Sequence, residues 1–392
     1  MKVLQINVVY KKGSTGKITY ELATNLKRNG HEAIICYGRG KRVREEDVYK
    51  TASEVFSKVR KKISELTGMH YNKCLFPTFK LIHIIKREQP DIVHIQCING
   101  YFVNIYQFIT FLKKSKIPTV LTLHAEFMYT ANCPHALECN QWIDGCKKCE
   151  SSYPRAEKSY RKMKKAFRGF DKLHVVSVSN WLMDRAKRSS ILSDFYHETI
   201  PNGVDTDVFH YRTLEEINDE IKSIFQGKTV LYVTPNFNDP IKGGNYVLTL
   251  AKRMPEIRFI IVGYNGTVTL PNNVVGIKHI SDQVELSMYY SMADAVILTS
   301  QKETYSMIVV ESLCCGAPVV GFFAGAPETI AIPTFSSFSI YADLDQLEDN
   351  LKQWLKQDIN KVKISSIAVN QYSNQFMYEK YYELYKRMLI NE

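Results

Sequence analysis

The chain has 392 residues, 45% hydrophobic and 23% charged, with a formal net charge of +11. That composition is globular and long enough for two domains of roughly 200 residues each. It excludes a bilayer-spanning helix, because no apolar run reaches the ~18 residues needed. The short apolar N-terminus runs straight into a glycine turn rather than a cleavable leader, so a cytoplasmic protein is expected. The charge is uneven. Residues 1–200 hold 35 Lys+Arg against 18 Asp+Glu, whereas residues 201–392 hold 16 against 22. A basic first half points to an anionic partner: nucleic acid, an acidic membrane leaflet or a phosphorylated substrate.

In chain order, "KVLQINVVY" reads as a strand, Lys17 to Arg28 as an amphipathic helix ending at Asn29-Gly30, and "HEAIICYG" as a strand. A basic helical stretch over roughly 52–67 follows, then a helix ending near Gln89-Pro90 and the strand "DIVHIQC". A helix from Val103 to Lys114, the strand "PTVLTLH", the strand "KLHVVSVS" and a helix opening at Asn180-Trp181 complete the first half. The second half repeats the alternation, with strands "TVLYVTP", "RFIIVGY", "DAVILTS" and "APVVGFF" separated by helices. Val- and Ile-rich strands alternating with helices imply parallel sheets covered on both faces. The expectation is an α/β chain of two tandem doubly wound domains, 1–200 and 201–373. They are joined near "TIPNGVDTDVF", with a Tyr-rich helix over 374–392 packing back toward the first domain. Their carboxyl strand ends would face a common cleft, where ligands of such folds bind.

"GSTGK" at 13–17 follows the first strand. A P-loop needs four residues between its glycines and a hydroxyl after the lysine. Here two residues separate Gly13 from Gly16, and Ile18 follows Lys17. What remains is a glycine turn that lets backbone N–H groups approach a ligand at a helix start, or simply a tight turn.

Three further elements carry chemistry. In "KETYSMIVVESLCCGAPVVG", Glu303 and Glu311 bracket a helix start, and the N–H groups of Tyr305, Ser306 and Met307 would form an anion site. A carboxylate at Glu311, two turns along, suits the paired hydroxyls of a ribose. In "DPIKGGNYVL", Lys242 at a strand end beside Gly-Gly could meet the same diphosphate. His124 closes the strand "PTVLTLH" and points to the cleft, while His94, amid apolar neighbours, reads as structural. The plain alternatives are exposed helix charges for the glutamates, a solvated lysine, and a hydrogen-bonded core histidine at 124.

Residues 125–150 form a cysteine-rich loop in which Cys133, Cys139, Cys146 and Cys149 crowd together. A structural Zn²⁺ is the leading expectation there, then unliganded thiols, then disulfides. The cluster "SYRKMKKAFRGFDK" sets Met163, Ala166, Phe167 and Phe170 near one helical face among cations. That fits a membrane-surface helix or a solvated helix over a core edge.

Taken in order, "GSTGKI", the strand ending in His124, "VSVSNWL", "IPNGVDTDVF", "IKGG" and the E-x7-E motif resemble glycosyltransferase family 4, with the GT-B fold, over nearly the whole chain. The opening and the cysteine-rich segment resemble bacterial exopolysaccharide enzymes of the colanic-acid-biosynthesis type. The resemblance implies a retaining transferase that moves a sugar from a nucleotide-diphosphate donor, a UDP- or GDP-sugar, to a hydroxyl of a polyprenyl-diphosphate-linked saccharide. It implies Gly13 near the donor phosphates, His124 and Glu303 at the donor sugar, Lys242 on the diphosphate, Tyr305 to Met307 capping the β-phosphate, and Glu311 on the ribose. Fixed cations and helix dipoles can stabilise the leaving diphosphate, so no catalytic metal is expected, and without a recognition module or aromatic-basic platform no nucleic acid is expected. Contact with the inner membrane face would be peripheral, through the basic first domain. The sequence departs from the pattern in three places: no Arg precedes Lys242 in "TPNFNDPIK", Ala125 follows His124 where Asp is usual, and Ser306 replaces a common Gly. The other classes considered are a GT-B-fold phosphorylase or sugar-nucleotide epimerase, and a basic nucleic-acid-binding protein.

Overall fold

The computed structural model describes residues 1–130, 133–149, 154–266 and 268–390. Parts of two expected segments, 131, 132 and 150 of the cysteine-rich loop and 391–392 of the last helix, lie outside the described residues. The chain divides into two compact units. Unit 1 is Met1–Pro201 with Met377–Glu392, and unit 2 is Asn202–Phe376.

Unit 1 runs β1 (Lys2–Asn7), α1 (Gly13–Arg28), β2 (Glu32–Tyr37), β3 (Val48–Lys50), α2 (Glu54–Thr67), α3 (Leu75–Glu88), β4 (Ile92–Cys97) and α4 (Ile105–Ser115). It continues with β5 (Thr119–Leu123), α5 (Phe127–Thr130), α6 (Ala156–Phe167), β6 (Leu173–Ser177), α7 (Asn180–Arg188) and β7 (Tyr196–Thr199). All strand pairs are parallel, in the order β3-β2-β1-β4-β5-β6-β7. β4 is buried along its whole length because helices cover both faces. α1 forms because Ile18, Leu22 and Leu26 recur at helical spacing, and each is buried. Burying one such side chain contributes about 1.5–3 kcal/mol.

Unit 2 runs α8 (Asp219–Ile224), β8 (Thr229–Val233), α9 (Gly244–Arg253), β9 (Arg258–Val262), β10 (Val274–Ile277), α10 (Gln283–Met292), β11 (Ala295–Leu298) and α11 (Met307–Cys314). Then come β12 (Val319–Phe322), α12 (Pro327–Ile330), β13 (Ser336–Ser339), α13 (Leu344–Lys356) and α14 (Lys361–Tyr372). Its parallel sheet has the order β10-β9-β8-β11-β12-β13. The core of unit 2 packs α9 and α13 on this sheet through Val247, Leu250, Leu347, Leu351 and Trp354.

The last helix, α15 (Asn374–Ile390), places Met377, Tyr378, Tyr381, Leu384, Tyr385 and Met388 in the core of unit 1. Tyr385 Oη lies 2.6 Å from His94 Nδ1, and Tyr381 Oη lies 2.9 Å from Thr122 Oγ1. His94 is thus a satisfied core histidine, as its apolar neighbours implied. Within unit 2 the entering segment meets α15's start: Val204 N–H donates to Tyr372 O, and Asn374 N–H donates to Val204 O. A Cβ on Gly203 would stand 2.6 Å from Asn374 Cα, so only glycine permits that approach. No helix among the described residues is long and apolar enough to cross a membrane.

Candidate active site

In a doubly wound sheet, the crevice for ligands opens where the strand order reverses, at the carboxyl ends. In unit 2 that point lies between β8 and β11. Lys242 follows β8 on a one-turn helix, Pro240–Lys242, whose start Asp239 caps by accepting from Ile241 N–H. The Lys242 carbonyl accepts from Tyr232 Oη at 2.8 Å and Thr299 Oγ1 at 3.0 Å, and Gln301 N–H donates to Ile241 O. The loops after β8 and β11 are therefore stitched together. Gly243 sits at φ +71°, and a Cβ there would fall 2.3 Å from Thr299 O.

Lys242 Nζ meets Glu303 Oε1 at 2.7 Å, with side-chain exposures of 22% and 14%. Glu303 is fixed by its backbone: its N–H donates to Ala324 O, and its carbonyl accepts from Ala326 N–H. In the stretch before Lys242, which has no Arg, Asn236 and Asn238 make a turn: Asn236 Oδ1 accepts from Asn238 N–H.

α11 starts at Met307. Glu311 is therefore one turn inside it, about 6 Å along the axis, closer than the two turns expected. Glu311 Oε2 accepts from Tyr290 Oη at 3.1 Å, and burial together with Glu311 holds the Tyr290 phenol well above its ordinary pKa. Tyr305 is buried and donates to Asn202 O. Ser306, the residue before α11, has φ +97° and ψ 95°. That backbone suits glycine, and the buried Ser306 Oγ has no hydrogen-bond partner among the described residues.

In unit 1 the order reverses between β1 and β4. Gly13 opens α1 with φ +61°; it is exposed, and a Cβ added there would meet nothing within 4 Å. Gly16, buried one turn later, packs on Val9 and Lys11, so the first glycine supplies backbone freedom and the second close approach. His124 follows β5 directly, about 10 Å from β1 across the sheet. Its Nε2 lies 2.8 Å from Gln96 Oε1, and Gln96 Nε2 donates to Gln5 Oε1 at 3.0 Å. That direction assigns the proton of a neutral His124 to Nε2 and the lone pair to Nδ1. Desolvation pushes its pKa down to about 4, so the ring is neutral at pH 7.

The Gln5–Gln96 relay was missed from sequence, although two glutamines inside apolar strands are its signal. Glu126 was missed as well. Fully buried, it accepts from Arg185 Nε at 2.7 Å, Tyr129 Oη and Ala136 N–H, tying the cysteine-rich loop to α7. The Arg185 guanidinium also lies against Trp142 and Trp181.

All nine cysteines are thiols. Burial first, then Cys133, Cys149 and Cys139, push the Cys146 thiol up to about 12, so each of those three lies within electrostatic reach of Cys146. Among the described residues, no group of three or more His, Cys, Asp or Glu is gathered as a metal site. α6 buries Met163, Ala166 and Phe167 in the core, so its cations remain as a solvated face without an apolar side to insert.

Residues 15–208 match the family Glycosyltransferase Family 4, and residues 215–371 match Glycosyl transferases group 1. Over 99% of the chain and 100% of the relative, it is 23% identical to the Escherichia coli (strain K12) protein WcaC, whose name ascribes it to colanic acid biosynthesis as a glycosyl transferase. Among solved structures, a glycosyltransferase from Rickettsia africae ESF-5 superposes with TM-score 0.69 at 19% identity, covering 100% of this chain and 99% of that one. Anabaena Alr3699/HepE in complex with UDP superposes with TM-score 0.67 at 14% identity, covering 99% and 100%. With its two doubly wound units and both family regions in sequence, this chain belongs to the family 4 glycosyltransferases of GT-B fold.

Proposed function

We propose that the chain transfers a sugar, with retention of configuration, from a nucleoside-diphosphate donor held on unit 2 to a hydroxyl of a lipid-linked saccharide. The observation that carries this is the 2.7 Å Lys242–Glu303 pair at the switch point of unit 2, just ahead of α11, whose start lies one turn before Glu311. The Lys242 ammonium would move onto the donor's diphosphate, freeing Glu303 to accept from the sugar hydroxyls. The N–H groups at Tyr305 to Met307 would face the β-phosphate at the positive end of α11. Glu311, steadied by Tyr290, would accept from the ribose hydroxyls. As the sugar departs, charge grows on the diphosphate, and a fixed cation and fixed N–H groups stabilise it without reorganising. On unit 1, the neutral His124 and the exposed turn at Gly13 would supply a sugar contact and a phosphate contact at the carboxyl end of that sheet.

The UDP named with the Anabaena structure supports a UDP-sugar as the first donor to try, with a GDP-sugar second. The likeness to WcaC supports a surface polysaccharide as product, made at the inner membrane face. The test is a thermal-shift panel of UDP-, GDP-, ADP- and dTDP-sugars, with Mg-ATP as the P-loop control. A ligand at 100 times its dissociation constant stabilises by about 2.7 kcal/mol.

The proximity of Cys133, Cys139 and Cys149 to Cys146 supports a separate proposal, a Zn²⁺ that stiffens the loop. Binding would draw the sulfurs in from their present positions. Stoichiometric zinc in untagged protein is the expected result, and metal-free protein with an intact fold contradicts it.

A further inference from the structure

α2 is inverted relative to an ordinary surface helix. Its buried positions are Ser57 and Ser64. Its apolar residues Val55, Val59, Ile63 and Leu66, spaced by four, four and three, face outward, Leu66 at 86% exposure. A surface helix normally turns that stripe inward. The adjoining first turns of α3 extend the patch with Phe76, 76% exposed, and Phe79. Lys58, Lys61 and Lys62 are exposed beside the stripe, Lys61 3.7 Å from Glu65. Next to Phe76 a cavity of about 340 Å³ is lined by Arg42, Lys50, Lys80 and Phe56.

The helix is held at a defined place. At its start, Glu54 Oε2 accepts from Arg39 Nη2 at 2.9 Å, just past the carboxyl end of β2. Beyond its end, His70 Nδ1 lies 2.8 Å from Tyr101 Oη, and His70 O accepts from Tyr106 Oη. Tyr101 follows the carboxyl end of β4. α2 therefore lies along the carboxyl edge of the sheet, the edge that carries Gly13 and His124.

We propose that α2 and the start of α3 form a docking surface for an anionic lipid bilayer. The apolar stripe would enter the acyl boundary and the lysines would meet the headgroups, the arrangement of an interfacial helix. Charge complementarity favours this occupant over a second copy of the chain, because each copy would bring the same lysines and the same basic half. The proposal deepens the reading of a lipid-linked acceptor: docking through α2 turns the edge bearing Gly13 and His124 toward the surface where that acceptor resides.

The test is co-sedimentation of the full chain with phosphatidylcholine vesicles, with and without phosphatidylglycerol, at low and high salt. The expected result is binding to the anionic vesicles only, weakened by salt. Lys58→Gln/Lys61→Gln/Lys62→Gln should weaken the partition by about a hundredfold. Leu66→Ser/Phe76→Ser should abolish it, while Lys164→Gln/Lys165→Gln on α6 leaves most of it. Circular dichroism and donor-induced thermal shift should be unchanged in every variant, separating docking from donor binding. Equal binding by wild type and the α2 variants overturns the proposal. So does absence of vesicle binding together with a dimer that Leu66→Ser/Phe76→Ser dissolves, which makes the face a self-interface. Vesicle binding that behaves as expected without any donor-induced shift sustains the docking surface and sinks the proposed donor site instead.

Discussion

Lys242 and Glu303 lie 61 residues apart in sequence, and their side chains meet at 2.7 Å on loops that follow neighbouring strands. Each loop fixes its residue through backbone hydrogen bonds, so the pair is placed by the sheet rather than by surface chance. Lys242→Ala should lower turnover by about 10²–10³, the loss typical of removing one fixed charge-stabilising group. Initial-rate measurements with the identified donor check this. A variant within threefold of wild type would remove Lys242 from the reaction.

Gly243 tests the same placement through the backbone. Gly243→Ala puts a methyl 2.3 Å from Thr299 O at a φ of +71°. The carbonyl is backbone and cannot swing aside, so a loss of more than about 2 kcal/mol is expected in urea unfolding. Unchanged stability would show that the loops after β8 and β11 are not joined as described.

At Ser306 the prediction has the opposite sign. A non-glycine residue at φ +97° carries a backbone cost of order 1–3 kcal/mol, and its Oγ is buried without a partner among the described residues. Ser306→Gly removes both, against the greater freedom glycine gains in the unfolded chain. A net gain of about 1 kcal/mol in the donor-free chain is expected. A loss would contradict the strained geometry.

His124 makes stability depend on pH. Its folded pKa is pushed down to about 4, whereas an unfolded histidine titrates near 6.5. Below that value the unfolded chain binds the extra proton, so stability falls as pH drops through 6.5 toward 4. Between pH 7 and 5 the share of His124 is about 1–2 kcal/mol, allowing for the solvent its partly exposed ring still meets. His94 is lowered in the same direction by burial and by His124. His124→Gln should therefore flatten the pH dependence of urea unfolding without removing it. An unchanged slope would contradict the desolvated ring.

The central strands and their helices were legible in the sequence because they are apolar, including β11 and β12, which at four residues are no longer than most of the edges. The four strands that were not, β3, β7, β10 and β13, are the four sheet edges. They run three or four residues, and "YHET" and "SSFS" carry the polar side chains that edges tolerate. Glu303, Lys242 and Glu311 were legible one at a time from strand ends and helix starts. That Lys242 and Glu303 would touch was not, since it depends on β11 lying beside β8. The basic helix at 54–67 was legible as a helix, but not its outward apolar stripe. Periodicity says which residues share a face, and only packing says which way that face turns.

The placement of the donor on unit 2 is tested most directly by donor binding to wild type and Glu311→Ala, read as thermal shift across the four nucleotide-sugar classes. A shift of several degrees with one class, lost in Glu311→Ala while that variant melts within about two degrees of wild type, is the predicted result. A shift that survives in Glu311→Ala, or one produced by Mg-ATP alone, would contradict that placement.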